Sequence, residues 1–181
     1  MKNFKLYLPI IILTLAVLAC SISIGGPEYP AQAVPYSPNE VLNMHTQIEQ
    51  AFVAGAETGI VTLQITENQL TSYMTEKMLQ QVDPPFTDPQ VLLRNGQMQM
   101  YGKVTQSMFT ANILITMNVG IDELTGQPKI EIVSADFGPL PAPEGINTAM
   151  NAIIAEAFTG SLGPVAVGFR LEAISIADGI M

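Results

Sequence analysis

The chain has 181 residues, sixteen acidic against seven basic, and a net charge of −9. Such a surface lacks the Lys/Arg patches that hold nucleic acid, and 48% apolar with 13% charged residues describes a folding chain, not a disordered one. One cysteine and one histidine exclude a Cys/His zinc cluster and an internal disulfide.

Lys2 and Lys5, the uncharged residues 6–19 and Val17-Leu18-Ala19-Cys20 have the anatomy of a secretory signal: a basic start, an apolar middle and a small residue at the cut. The uncharged stretch is shorter than the ~20 residues of a comfortable membrane span. It resembles the lipobox of bacterial lipoproteins, although Leu18 is a less usual choice there. The resemblance implies that Cys20 is acylated and becomes the first residue of the mature chain. The competing reading is an ordinary signal peptide, or a short membrane anchor, that happens to contain a cysteine. Acylation is favoured because Cys20 has no intramolecular disulfide partner in an oxidising compartment. Loss of Lys2 and Lys5 on cleavage takes the net charge from −9 to −11. Anionic headgroups then offer no attraction. Attachment would rest on the acyl chains, at ~0.8 kcal/mol per buried CH₂.

Residues 21–38 are rich in glycine and proline without periodicity and read as an extended tether. Ser37-Pro38-Asn39-Glu40 then supplies helix start signals. Val41, His45, Ile48 and Phe52 recur at helical spacing, with Gly55 and Gly59 as stops. Residues 60–65 form a short β-rich run. Thr66-Glu67-Asn68-Gln69 is a capping-box pattern opening a second helix, with Leu70, Met74, Met78 and Val82 on one stripe and Asp83-Pro84-Pro85 as the stop.

Asn95-Gly96 is the preferred two-residue hairpin turn. Pairing outward from it sets Arg94 opposite Gln97, Leu93 opposite Met98, Leu92 opposite Gln99 and Val91 opposite Met100. Val91, Leu93, Met98 and Met100 then share one face, so the turn and the hydrophobic pattern demand the same register. Residues 109–121 alternate strictly, Phe109, Ala111, Ile113, Ile115, Met117, Val119 and Ile121 on one face, with Leu114 the exception on the other. A strand of that length must twist and curl around something apolar, such as a helix. After a turn at Gly126, residues 128–137 return as another strand. Ile146, Met150, Ile153 and Ala157 mark a third, largely buried helix. Residues 165–177 are strand-like and end at Asp178-Gly179, a second turn signal. Only Ile180 and Met181 follow it, which suggests that the sequence is clipped or that a partner completes this edge.

The layout predicts an α+β fold in which a long, curved antiparallel sheet, a meander, packs around two or three helices. The domains are a signal peptide at 1–19, the lipidated cysteine and tether at 20–38, and a single α+β domain at 39–181, clipped or open at its last strand. Thr66 to Leu70 opening a helix, the hairpin around Arg94-Asn95-Gly96, the long strand from Phe109 and the closing residues 174–179 resemble the YpmS/LmeA type of tubular lipid-binding (TULIP-like) proteins. The resemblance covers roughly residues 60–181. It implies an elongated helix-and-sheet body with an apolar groove for acyl chains, and it carries over no catalytic residues.

Catalytic chemistry has little to stand on. His45 lies on an apolar stripe with no acid-base companion, and no serine sits in a Gly-x-Ser-x-Gly elbow. Acidic groupings exist, for example Asp122-Glu123 with Asp136, that could make a site for calcium or a hydrolase, but nothing fixes their separation and a solvated surface is the favoured reading. The expectation is therefore a non-enzymatic envelope lipoprotein without cofactor or metal, attached outside the cytoplasm by acyl chains on Cys20. Its expected partner is a lipid or other apolar ligand in a groove lined by Leu93, Met98, Met100, Ile113, Ile115, Met117, Met150 and Ile153. Methionine suits an accommodating apolar site, and equally an ordinary core. The alternative is a scaffold that recruits a protein partner through an exposed edge strand near Ser175. A carboxylate-based hydrolase stands third.

Overall fold

The computed structural model describes residues 22–23, 25–121, 128–140 and 172–181. Their elements are β1 (Ile22–Ser23), α1 (Pro38–Thr58), α2 (Glu67–Leu79), β2 (Thr87–Arg94), β3 (Gln97–Gln106), β4 (Phe109–Ile121) and β5 (Pro128–Asp136). The fold is α+β. An antiparallel meander in the order β2-β3-β4-β5 lays one face against two helices, and β1 pairs parallel with the start of β4 beside β5. The expected third helix and the turn at Gly126 lie outside the described residues.

The hairpin register is the one read from the turn: Arg94 pairs with Gln97, Leu93 with Met98, Leu92 with Gln99 and Val91 with Met100. Asn95 adopts φ 54 and Gly96 φ 76, the left-handed pair that such a turn requires. β4 spans the whole alternating run and buries Ala111, Ile113, Ile115 and Met117. Those residues meet Val41, Met44, Ile48 and Phe52 from α1 and Leu70, Tyr73, Met74 and Met78 from α2 in one core.

Both helices start where their signals place them. Ser37 is the N-cap of α1 and Pro38 its first residue. Thr66 and Gln69 close a reciprocal capping box on α2: Thr66 Oγ1 accepts from Gln69 N at 3.3 Å, and Gln69 Oε1 accepts from Thr66 N at 2.9 Å. Gly59 ends α1 in the left-handed conformation (φ 75). Gly55 does not end it. It sits within the helix, where a Cβ would collide with the Val61 side chain, so it is there for close approach.

Three expectations are corrected. Residues 60–65 form no strand, since only Ile65 and Thr66 find backbone partners, and these lie in the C-terminal turn. α2 stops at Leu79, so Val82 falls beyond the apolar stripe and is fully exposed. Residues 172–176 form no strand either, and 165–171 lie outside the described residues. The two-residue arm after Asp178-Gly179 does find partners. Ile180 bridges to Ala177 and Thr66, and Met181 exchanges two hydrogen bonds with Ile65 (2.7 and 2.9 Å).

The outer edge of β2 is closed by α2. Thr71 Oγ1 accepts from Val91 N at 2.9 Å, Glu67 Oε1 accepts from Leu93 N at 2.6 Å, and Leu93 O accepts from Gly179 N at 3.0 Å. Arg94 holds the Glu67 carboxylate through both guanidinium nitrogens. An edge whose outward N–H and C=O groups are satisfied in this way offers no template for strand addition.

Residues 25–37, expected to be a tether, instead lie on the sheet. Gly25 O accepts from Asn112 N (3.0 Å) and Pro27 O from Asn112 Nδ2 (3.1 Å). Gly26 passes so close to β4 that a Cβ would strike the Asn112 carbonyl. The Tyr29 ring stacks edge-on against Tyr101 at 6.0 Å, the Lys103 ammonium lies 5.3 Å from its centre, and its hydroxyl donates to Asp88 O. Val34 exchanges hydrogen bonds with the Gln90 amide (2.5 and 3.2 Å), and Ser37 N donates to Ser72 Oγ (3.1 Å). The segment is a strap that crosses β4, β3 and β2 in turn on the face opposite the core.

Thr71 is fully buried, so replacing it by valine leaves the Val91 N–H without its partner. Thr71→Val is expected to lower unfolding free energy by about 1–3 kcal/mol, read as a lower urea midpoint at unchanged slope.

Candidate apolar ligand site

The six described residues of the expected groove come together. Leu93, Met98, Met100, Ile113, Ile115 and Met117 lie side by side on the inner face of β2, β3 and β4, but none is more than 5% exposed. α1 and α2 cover them, so a ligand would reach them only by lifting a helix. They are the core of the domain, and the open apolar surface lies elsewhere. Met150 and Ile153 fall outside the described residues.

That surface begins where β4 passes beyond its buried residues. β3 starts at Gln97, bonded across to Asn118 (Gln97 Nε2 to Asn118 Oδ1, 3.1 Å), and β4 runs on past it to Ile121 with only β5 beside it among the described residues. Val119 pairs with Ile130 and Met117 with Ile132, so the inner face continues beyond Met117. Exposure rises away from the buried Met117 in two directions: Val119 and Ile130, the next pair on this face, are half-buried against the core, and Ile132, the partner of Met117 on β5, is 37% exposed. Val61, Leu63, Ile176 and Met181 pack against the same core from neighbouring segments. Charge is kept off this shelf, because the Lys129–Glu131 pair (3.3 Å) alternates with the isoleucines onto the opposite face.

The shelf offers an apolar surface and van der Waals contact, and no group on it can act as acid, base or nucleophile. His45 is half-buried on α1. Asp136 Oδ1 accepts from Gly138 N at 2.8 Å, whereas Asp122 and Glu123 lie outside the described residues. No group of three or more His, Cys, Asp or Glu side chains suited to a metal ion occurs among the described residues. Likewise no helix among them is long and apolar enough to cross a membrane.

The shelf was within reach of the sequence. Ile130 and Ile132 alternate with Lys129 and Glu131 inside the expected strand 128–137, and pairing them against residues 117–121 assigns their face. Comparison with protein-family models, curated proteins and solved structures finds no match. The resemblance to tubular lipid-binding proteins therefore rests on the sequence layout alone.

The strap also brings a shifted titratable group to the sheet. Burial first, and the nearby Asp88 carboxylate second, push the Tyr29 phenol from 10.0 up to about 12. A raised phenol pKa favours the neutral form in the folded state. Its stabilising contribution is therefore complete below pH 10 and is lost as the pH rises from there through about 12. Phenolate absorbance followed to high pH is expected to show a late-titrating group that Tyr29→Phe removes.

Proposed function

We propose that this chain is a non-enzymatic envelope lipoprotein, acylated at Cys20 and held outside the cytoplasm, that carries a lipid or other apolar ligand. The ligand site is the shelf of Val119, Ile121, Ile130 and Ile132. The observation that carries the ligand reading is the continuation of the inner sheet face past Met117 without charge and with rising exposure. Apolar surface left open beside a packed core lowers its free energy by covering itself, at about 25 cal/mol per Å² removed from water. The anchoring reading rests on Lys2, Lys5, the uncharged residues 6–19 and Val17-Leu18-Ala19-Cys20.

A second reading is favoured by a specific observation. With the β2 edge closed by Thr71 and Glu67, the outer edge of β5 has no strand beside it among the described residues. A scaffold that recruits a partner by strand addition would use β5 and not the neighbourhood of Ser175.

Two measurements test the proposal. Mass analysis of the mature N-terminal peptide is expected to show acyl chains on Cys20, and a free thiol there contradicts the anchor. Native mass spectrometry of gently extracted protein is expected to show retained lipid, lost several-fold in Ile132→Glu with thermal stability kept. Protein that is lipid-free in every preparation, or lipid retained equally by Ile132→Glu, contradicts the shelf; a co-purifying polypeptide removed by proline substitution in β5 favours the scaffold.

A further inference from the structure

The course of the strap fixes which end of the domain faces the membrane. β1 pairs parallel with the first residues of β4, Ile22 beside Phe109 and Ser23 beside Thr110. Ile22, the second residue after Cys20 in the sequence, thus lies beside the start of β4, and two residues of chain span at most about 7 Å from it, at ~3.5 Å per residue. The chain from Cys20 is thus no long spacer. Once Gly25 and Pro27 are bonded to Asn112, acyl chains on Cys20 bring the β3–β4 turn down to the headgroups.

That turn is built unlike the rest of an acidic protein. Its tip carries Met108, 58% exposed, and Phe109, 41% exposed. No charged residue occurs between Lys103 and Asp122, and the nearest charges up the hairpin, Lys103 and Asp88, neutralise each other at 2.7 Å. The same end collects further apolar surface. Glu67 bonds to Leu93 and Thr71 to Val91, so α2 runs antiparallel to β2 and its C-terminal residue Leu79, 71% exposed, points towards the end where β2 begins. That is also the end of the β3–β4 turn, because Thr87 pairs with Lys103.

We infer that the β3–β4 turn is a membrane-contacting tip, with Met108 and Phe109 seated in the headgroup–acyl boundary beside the anchored N-terminus. The partner is a lipid surface with no requirement for anionic headgroups, since a chain of net −11 without basic residues at the tip gains nothing from them. The orientation puts the opposite end of the sheet, with the Asn95-Gly96 turn and the shelf, away from the bilayer. This inference rests on the acylation reading for its setting in the cell.

The test uses the absence of tryptophan from the chain. The protein from Cys20 onward, its single thiol coupled to a maleimide phospholipid, is placed in phosphatidylcholine vesicles with and without brominated acyl chains. Met108→Trp and Phe109→Trp serve as separate reporters, and Ile60→Trp, on the approach to the other end of α2 and itself 71% exposed, is the control. At a depth of ~5–10 Å the tip reporters are expected to shift to shorter emission wavelength and to be quenched roughly twofold or more by brominated lipid, the control hardly at all. Tip reporters that stay as open to aqueous iodide as the control overturn the inference, as does equal bromolipid quenching at both ends. Because the coupling supplies the anchor, this outcome is separate from whether cells acylate Cys20, which the mass of the N-terminal peptide reads on its own.

Discussion

The alternation along β4 is the constraint on which the structure depends. Residues of one parity, from Ala111 to Met117, are buried under two helices, while Thr110, Asn112 and Asn118 face the other way. A shift of one residue would exchange the two sets, putting four buried apolar side chains into water. β4 is also the strand with the most neighbours: β3 runs along one side, and β1 and β5 share the other. Its register therefore sets the position of each of them.

Two consequences follow from that single pattern. On the inner face, the apolar run continues past the buried residues of β4, and Val119 and Ile121 with their neighbours on β5 become the shelf. On the outer face, Asn112, together with Tyr101, Lys103 and Gln90 from β3 and β2, provides hydrogen bonds and ring contacts for the strap. The shelf and the strap are thus on opposite faces of one sheet, the shelf beyond Met117 and the start of the strap beside Phe109. Closure of the β2 edge by Thr71, Glu67 and Arg94 completes the arrangement by leaving β5 as the free flank among the described residues.

What could be read from the sequence was what short-range physics determines. The turn at Asn95-Gly96, the capping box of Thr66 and Gln69 and the bounds of β4 follow from residues within a few positions of each other, and the structure has them in place. The strap was legible only as an extended segment. Its bonds reach Gln90 and Asn112, 56 and 85 positions away, and composition cannot distinguish a proline-rich segment that is free from one that is laid on a sheet. The groove failed for a related reason. Periodicity shows that Leu93, Met98 and Ile113 share a face, but not that α1 and α2 seal it, so a core and a ligand site look alike in the sequence. Val82 was placed on the α2 stripe by spacing alone, whereas the helix ends three residues earlier and leaves it in solvent.

Amide hydrogen exchange resolved by residue tests the two-faced sheet most directly. Val34 and Ser37 donate to side chains on β2 and α2, and Asn112 donates to the strap from β4. The account predicts that these three amides exchange at least about tenfold more slowly than in a free peptide, together with the protected amides of β4. Exchange of Val34 and Ser37 at the free-peptide rate, with β4 still protected, would contradict it: the segment before α1 would then be a loose tether, and its course over the sheet would be undefined.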